Sequence, residues 1–439
     1  MKINKIKSSI LYLITAFVFS LVFYYCYIYY LNYYFEYMGF LLHEPSIIML
    51  VASFLLSCIP ILFHSGFRSI SSFIAITIYL LLYIPTILTF ALGLNAPTEK
   101  VIFIQFIFFV SMCLLFLADR VRCFHFKIAP VKFISFRIFL VLTIVFSLYV
   151  VYIYSGNLRF VSFEEVYIQR ASTQDIGSSM VARYMQAWLK TILVPLCLIY
   201  GLFNKKLSYF IAGSLSCIIL YMATASKSII LVPFLYVGLY YFLIKINLKN
   251  LYIAFAVLLS LIMLIFLLIA SNELKKTHLS MASSIILMRV VGVGGLSNLL
   301  YYDFFEEHPK TYYSHIRPVN ALTDSYPYDE SLGETIGFYN YNKVVNANAN
   351  FWATDGVASV GIVGVFIISV VLSFFFILLN SVTNKYNKKI LIFAYIPFIG
   401  VLLNASLFQA IYSGGGLFMT LILLFLKPRH DWLHEKIDL

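Results

Sequence analysis

Between Asn346 and Gly364 the chain reads N-A-N-A-N-F-W-A-T-D-G-V-A-S-V-G-I-V-G, three amides on alternate residues followed by a carboxylate. Asn346, Asn348 and Asn350 offer donors and acceptors suited to sugar hydroxyls, and Asp355 adds an acceptor or a base beside them. Asp355 also reads as the residue that opens an apolar span, where a carboxylate caps free backbone N–H groups. Gly361 and Gly364, spaced G-x-x-G, allow a second helix to come close. His308 and His315 are further bases by type, although a lone histidine in a polar loop is usually a solvated one.

A second set of groups is cationic. Arg159, Arg170, Arg183, Lys190, Lys227, Lys275, Lys276, Arg289 and Arg317 stand on the side of the spans that carries few other basic residues, several of them within apolar sequence. A charge there costs on the order of 2.5–3.5 kcal/mol unless it has a partner. Phosphate is the anion that a guanidinium grips two-pronged. Lys227 lies in T-A-S-K-S, and residues 207–244 hold two spans only if that turn is tight. Its competing reading is a snorkelling cap on the hairpin. Arg170 and Arg289 compete with plain surface charges, and Arg183 and Lys190 read as anchors at the start of a span. The sequence carries no serine triad, no phosphate-cradling glycine loop and no metal-ligand spacing.

These residues hang on a membrane scaffold. Of 439 residues, 62% are hydrophobic and 11% are charged, about half the charged fraction of a soluble globule. The apolar residues fall in long runs that predict about twelve spans: 9–30, 45–63, 69–93, 101–118, 137–155, 183–203, 207–224, 227–244, 251–270, 355–379, 390–408 and 412–426. The first run, behind M-K-I-N-K-I-K, is followed by no small-x-small cleavage site and reads as a retained span. The net charge of +12 sits mostly in short segments between spans, which is the positive-inside pattern and not a nucleic-acid surface. Both termini are then expected in the cytoplasm. None of the six cysteines lies in an outer loop.

The expectation is an all-α polytopic protein, one integral membrane domain over 1–439, with two large periplasmic loops at 156–182 and 271–354 carrying short amphipathic helices. Residues 280–309 read as a helix lying partly in the membrane interface and broken at Gly292 to Gly295. From His308 to Asn342 the tyrosine-, proline- and acid-rich sequence reads as irregular.

The chain resembles the Wzy-type polymerases of O-antigen and capsule repeat units, and more distantly the O-antigen ligases, members of the GT-C-like membrane glycosyltransferases. The likeness covers the whole chain as a topology and rests locally on short patterns. T-A-S-K-S is similar to the ligases' S-x-S-R-like turn, with Lys227 at the arginine position. The ligases' histidine, eleven residues before the glycine that begins G-x-x-G, is Asn350 here, counted back from Gly361. N-A-N-A-N-F is similar to the asparagine-rich version found in polymerases. Arg170 and Arg289 fall in the two outer loops where the family has needed arginines.

The resemblance implies a metal-independent glycosyltransferase without cofactor in the inner membrane. It would move a growing glycan from undecaprenyl diphosphate to the terminal sugar of an incoming undecaprenyl-diphosphate-linked repeat. Arg170, Lys227, Arg289 and Arg317 would hold diphosphate. Asn346, Asn348 and Asn350 would orient the glycan, and Asp355 with Arg289 would act in the reaction. Its partners would be the lipid-linked oligosaccharide, the bilayer and a chain-length regulator. A ligase is the alternative of the same class, and a flippase for the same lipid-linked glycan the alternative of another. A flippase would carry ionisable groups deep within several spans, whereas here the polar mass lies outside them.

Overall fold

A computed structural model describes residues 2–121, 135–161, 165, 169, 172–173, 176, 179–271, 287–343 and 345–426. Every regular element among them is helical. Ten helices are long and apolar enough to cross a membrane, so this is a multi-pass membrane protein. They are Ser9–Met38, Ile70–Gly93, Thr98–Ala118, Phe136–Ile153, Met180–Phe203, Leu207–Thr224, Lys227–Lys245, Leu248–Ile269, Val363–Thr383 and Leu407–Phe425. Two expected spans are shorter. Ile47–Phe63 tightens into a 3₁₀ turn at Ile59–Phe63, where Pro60 stands at its start, and Lys388–Leu402 carries Pro397 inside it. The described cysteines are all free.

The contacts gather into two compact units. The first comprises Met1–Arg122, Lys249–Leu378 and Leu402–Phe408, and the second Cys123–Leu248, Leu379–Val401 and Gln409–Leu439. In the first, Lys2–Cys26 packs along Leu251–Ser271, and Ile84–Gly93 packs on Val293–Glu307. In the second, Leu207–Thr224 lies against Val194–Phe203, Phe136–Ile153 and Lys227–Lys245. The turn T-A-S-K-S is as tight as its sequence demands: one helix ends at Thr224, the next starts at Lys227, and Ala225 takes a left-handed φ of 48°.

Three expectations need correcting. The stretch after Arg289 is not broken by its glycines. A π-turn, Met288–Gly292, runs directly into the helix Val293–Glu307, whose Leu296, Leu299, Tyr301, Phe304 and Phe305 are all withdrawn from solvent. Its glycines serve close approach. A Cβ on Gly294 would lie 2.8 Å from the Leu81 carbonyl oxygen, and one on Gly295 2.7 Å from that of Pro85.

The span expected at 355–379 begins instead at Val363. Residues 352–360 form a separate buried piece, a π-turn at Trp352–Val357 followed by Ala358–Val360, which ends at Gly361 with a φ of 79°. Only glycine takes that angle without strain.

The segment His308–Asn342 is not wholly irregular. It contains the helices Arg317–Thr323 and Leu332–Tyr341. The second starts with a reciprocal capping box between Ser331 and Glu334.

Candidate functional site

The asparagine run is clamped onto a glycine face. Gly333 and Gly337 lie four apart on Leu332–Tyr341 and so share one side of that helix. Against them the chain at 345–347 runs so close that a Cβ on Gly337 would fall 1.8 Å from the Val345 carbonyl oxygen. Ala347 N–H donates to the Gly333 carbonyl at 2.8 Å, and the Tyr301 hydroxyl donates to the Ala347 carbonyl at 3.2 Å. Held this way, Asn346 and Asn348 are exposed while Asn350 is fully buried.

Asn350 is therefore not placed to meet a glycan. Its Nδ2 donates to the Gly294 carbonyl at 3.2 Å and to Ser297 Oγ at 3.0 Å. Its Oδ1 accepts the Trp352 and Ala353 N–H groups at 3.0 and 3.3 Å. This is an amide capping a turn, and it ties the asparagine run to the helix that follows Arg289. Arg289 and Arg317 are both exposed, and no described carboxylate pairs with either.

A buried polar network centres on Asp355, whose side chain is 0% exposed beside a His315 side chain that is 7% exposed. His315 Nε2 lies 3.0 Å from Asp355 Oδ1. The same oxygen accepts from the Ser406 hydroxyl at 2.7 Å, and Oδ2 accepts the Leu407 N–H at the first turn of Leu407–Ile411. On its other side the imidazole Nδ1 meets Thr311 Oγ1 at 3.0 Å, and that hydroxyl lies 3.1 Å from the Ala358 carbonyl. The hydroxyl has one proton to give. The Ala358 carbonyl already accepts the Thr311 N–H at 2.8 Å, so with Nε2–H meeting the carboxylate and the hydroxyl donating to Nδ1 every group in the network has a partner.

This arrangement changes the part expected of Asp355. The residue does not cap its own span, which starts at Val363, but receives the backbone of another segment at Leu407. With three donors on its two oxygens and no exposed edge, it positions the segments around it.

The loop before His315 is fixed on the same piece of chain. Thr311 N–H donates to the Ala358 carbonyl at 2.8 Å and Tyr312 N–H to the Ser359 carbonyl at 3.0 Å. Two consecutive tyrosines, Tyr312 and Tyr313, sit in the left-handed region with φ of 46° and 67°. Such residues cost of order 1–3 kcal/mol each and persist only where neighbours hold them.

Of the residues expected to act, Arg289, Arg317, Asn346, Asn348, Asn350 and Asp355 all fall in the first unit. Lys227 heads the half-buried start of its helix in the second. Arg170 lies outside the described residues. His315 was the residue least legible as part of a site, because nothing in its local sequence signals Asp355 as its partner. No protein-family model matches the chain, and neither does any curated protein or solved structure.

Proposed function

We propose that this protein is a polymerase of lipid-linked polysaccharide repeat units, acting at the outer face of a bacterial inner membrane with both termini in the cytoplasm. The observation that carries this reading is a single bonded layer in the first unit. There the exposed amides Asn346 and Asn348 and the exposed guanidiniums Arg289 and Arg317 stand on segments joined through Asn350, Tyr301 and the His315–Asp355 pair. Amides suit sugar hydroxyls, and unpaired guanidiniums suit the diphosphate of a polyprenyl carrier such as undecaprenyl diphosphate.

In the reaction a hydroxyl of the incoming repeat's terminal sugar attacks the anomeric carbon that joins the growing glycan to its carrier. The new C–O bond forms as the bond to diphosphate breaks, the hydroxyl proton passes to the departing diphosphate, and the diphosphate leaves on its lipid. Arg289 and Arg317 balance the charge that develops on the leaving group. Asn346 and Asn348 orient the glycan. Asp355 and His315 keep these groups in register. A chain-length regulator is the expected protein partner.

Deleting the gene and separating the surface glycan on a gel tests the reading. A polymerase leaves carriers bearing one repeat, and a wild-type copy restores the ladder while an Arg289→Ala copy does not. An undiminished ladder in the deletion strain, or lipid-linked repeats trapped on the cytoplasmic face, would sink it.

A further inference from the structure

The loop from His308 to Arg317 reads H-P-K-T-Y-Y-S-H-I-R, with two histidines, two cations and no carboxylate. Both histidines are committed. His308 stacks on Phe304 with ring centroids 4.0 Å apart and an interplanar angle of 6°, and His315 holds Asp355. Lys310 is not committed in this way: it is half-buried, and no described carboxylate pairs with it. Its stem lies across Gly361, where an added Cβ would come within 2.9 Å of Lys310 Cε and 3.8 Å of Nζ. The missing side chain at Gly361 is what lets the lysine lie there.

Two residues on, the left-handed backbone at Tyr312 and Tyr313 holds the Tyr312 ring outward, 69% exposed. Backbone held against its preference marks a place where side-chain direction matters more than local stability. The Thr311 and Tyr312 N–H bonds to Ala358 and Ser359, together with the His315–Asp355 pair, hold the loop in this form.

We propose that Lys310 and Tyr312 form a subsite for the phosphorylated end of a lipid-linked glycan. Lys310 donates to an oxygen of the diphosphate, and the Tyr312 ring packs on the face of the sugar attached to it. The ammonium is a compact charge on a flexible stem that can follow a moving phosphate. The negative face of an aromatic ring suits the C–H-lined face of a pyranose. The subsite rests on the polymerase reading for its ligand and refines it by naming the contacts at the carrier end of the glycan.

The test measures binding to the purified full-length protein in detergent, without polymerisation. The probes are farnesyl diphosphate, farnesyl diphosphate bearing one N-acetylglucosamine, and phosphatidylglycerol in mixed micelles. Lys310→Gln is expected to weaken both diphosphate probes about tenfold and to leave phosphatidylglycerol unchanged, while Lys310→Arg keeps most of the affinity. Tyr312→Ala is expected to weaken only the sugar-bearing probe, about fivefold. Unchanged diphosphate binding by a folded Lys310→Gln protein overturns the subsite, and so does an equal loss for phosphatidylglycerol. If Lys310→Gln fails to fold, Lys310→Met, which keeps the stem and removes the charge, must show the same selective loss. Wild-type protein that binds these probes yet never extends a glycan would sink the polymerase reading and leave the subsite standing.

Discussion

His315 Nε2 and Asp355 Oδ1 meet at 3.0 Å across 40 residues of sequence, joining the loop 308–317 to the buried turn Trp352–Val357. Through Asp355 the contact extends to Ser406 and to the backbone of Leu407, so one pair fixes three segments.

Removing one partner should therefore do more harm than an exposed substitution. Asp355→Ala leaves an imidazole, a hydroxyl and a backbone N–H without their acceptor, and each buried donor left unsatisfied in this way costs about 1–3 kcal/mol. His315→Ala strands the carboxylate to a similar degree. The check is thermal unfolding in detergent, with Arg317→Ala as the exposed comparison, expected within about 0.5 kcal/mol of wild type. Equal stability for all three proteins would remove the pair from the account.

The sequence showed the membrane scaffold plainly, because long apolar runs such as Leu251–Ser271 have no competing explanation. It hid the start of the span at Val363, since Val357, Ala358 and Val360 continue the run that Gly361 interrupts. The capping box at Ser331 and Glu334 was legible as S-x-x-E and could have announced the helix Leu332–Tyr341. The inward turn of Asn350 was not legible. Nothing local distinguishes it from Asn346 and Asn348, and its partners at Gly294 and Ser297 lie more than fifty residues away. The same holds for His315, whose partner is chosen by tertiary structure alone.

Glycines of the same type should respond in opposite directions. Gly337→Ala places a Cβ 1.8 Å from the Val345 carbonyl oxygen, which backbone must move to relieve. The overpacking should destabilise by about 1–3 kcal/mol and shift the asparagine run, lowering polymer yield with it. Gly238→Ala, in the interior of Lys227–Lys245 with nothing within 4 Å, should stabilise by up to about 1 kcal/mol. Unfolding midpoints of the two variants decide the matter, and a shift of the same sign in both would contradict the packing argument.

Asp303 gives the protein a pH-sensitive carboxyl. Desolvation, then the charge of Glu306, raises it from 3.8 to about 6; Lys100 opposes this, and Glu307 adds to it. A carboxyl that holds its proton more tightly when folded favours the folded state below the unfolded value. That advantage fades as the pH rises from about 4 through about 6. Asp303→Asn should flatten the unfolding midpoint over that window. Salt should weaken the part of the effect that comes from Glu306 and Glu307. A pH profile identical in wild type and variant would rule out the assignment.

Arg289 is exposed on the π-turn that leads into Val293–Glu307, so its loss should leave the fold intact. A charge-assisted contact to diphosphate contributes about 1.5–3 kcal/mol. Arg289→Ala should therefore slow glycan extension by roughly tenfold or more, with Arg289→Lys falling between. Extension rates at matched protein levels provide the measurement, and a normal rate in the alanine variant would exclude Arg289 from the site.

The most direct measurement reconstitutes the purified protein in lipid vesicles and supplies only single repeats linked to undecaprenyl diphosphate. The account predicts a ladder of carriers bearing two, three and more repeats, accumulating with time and lost in the Arg289→Ala protein. Single repeats that stay single, or that are only moved across the bilayer unchanged, would contradict it.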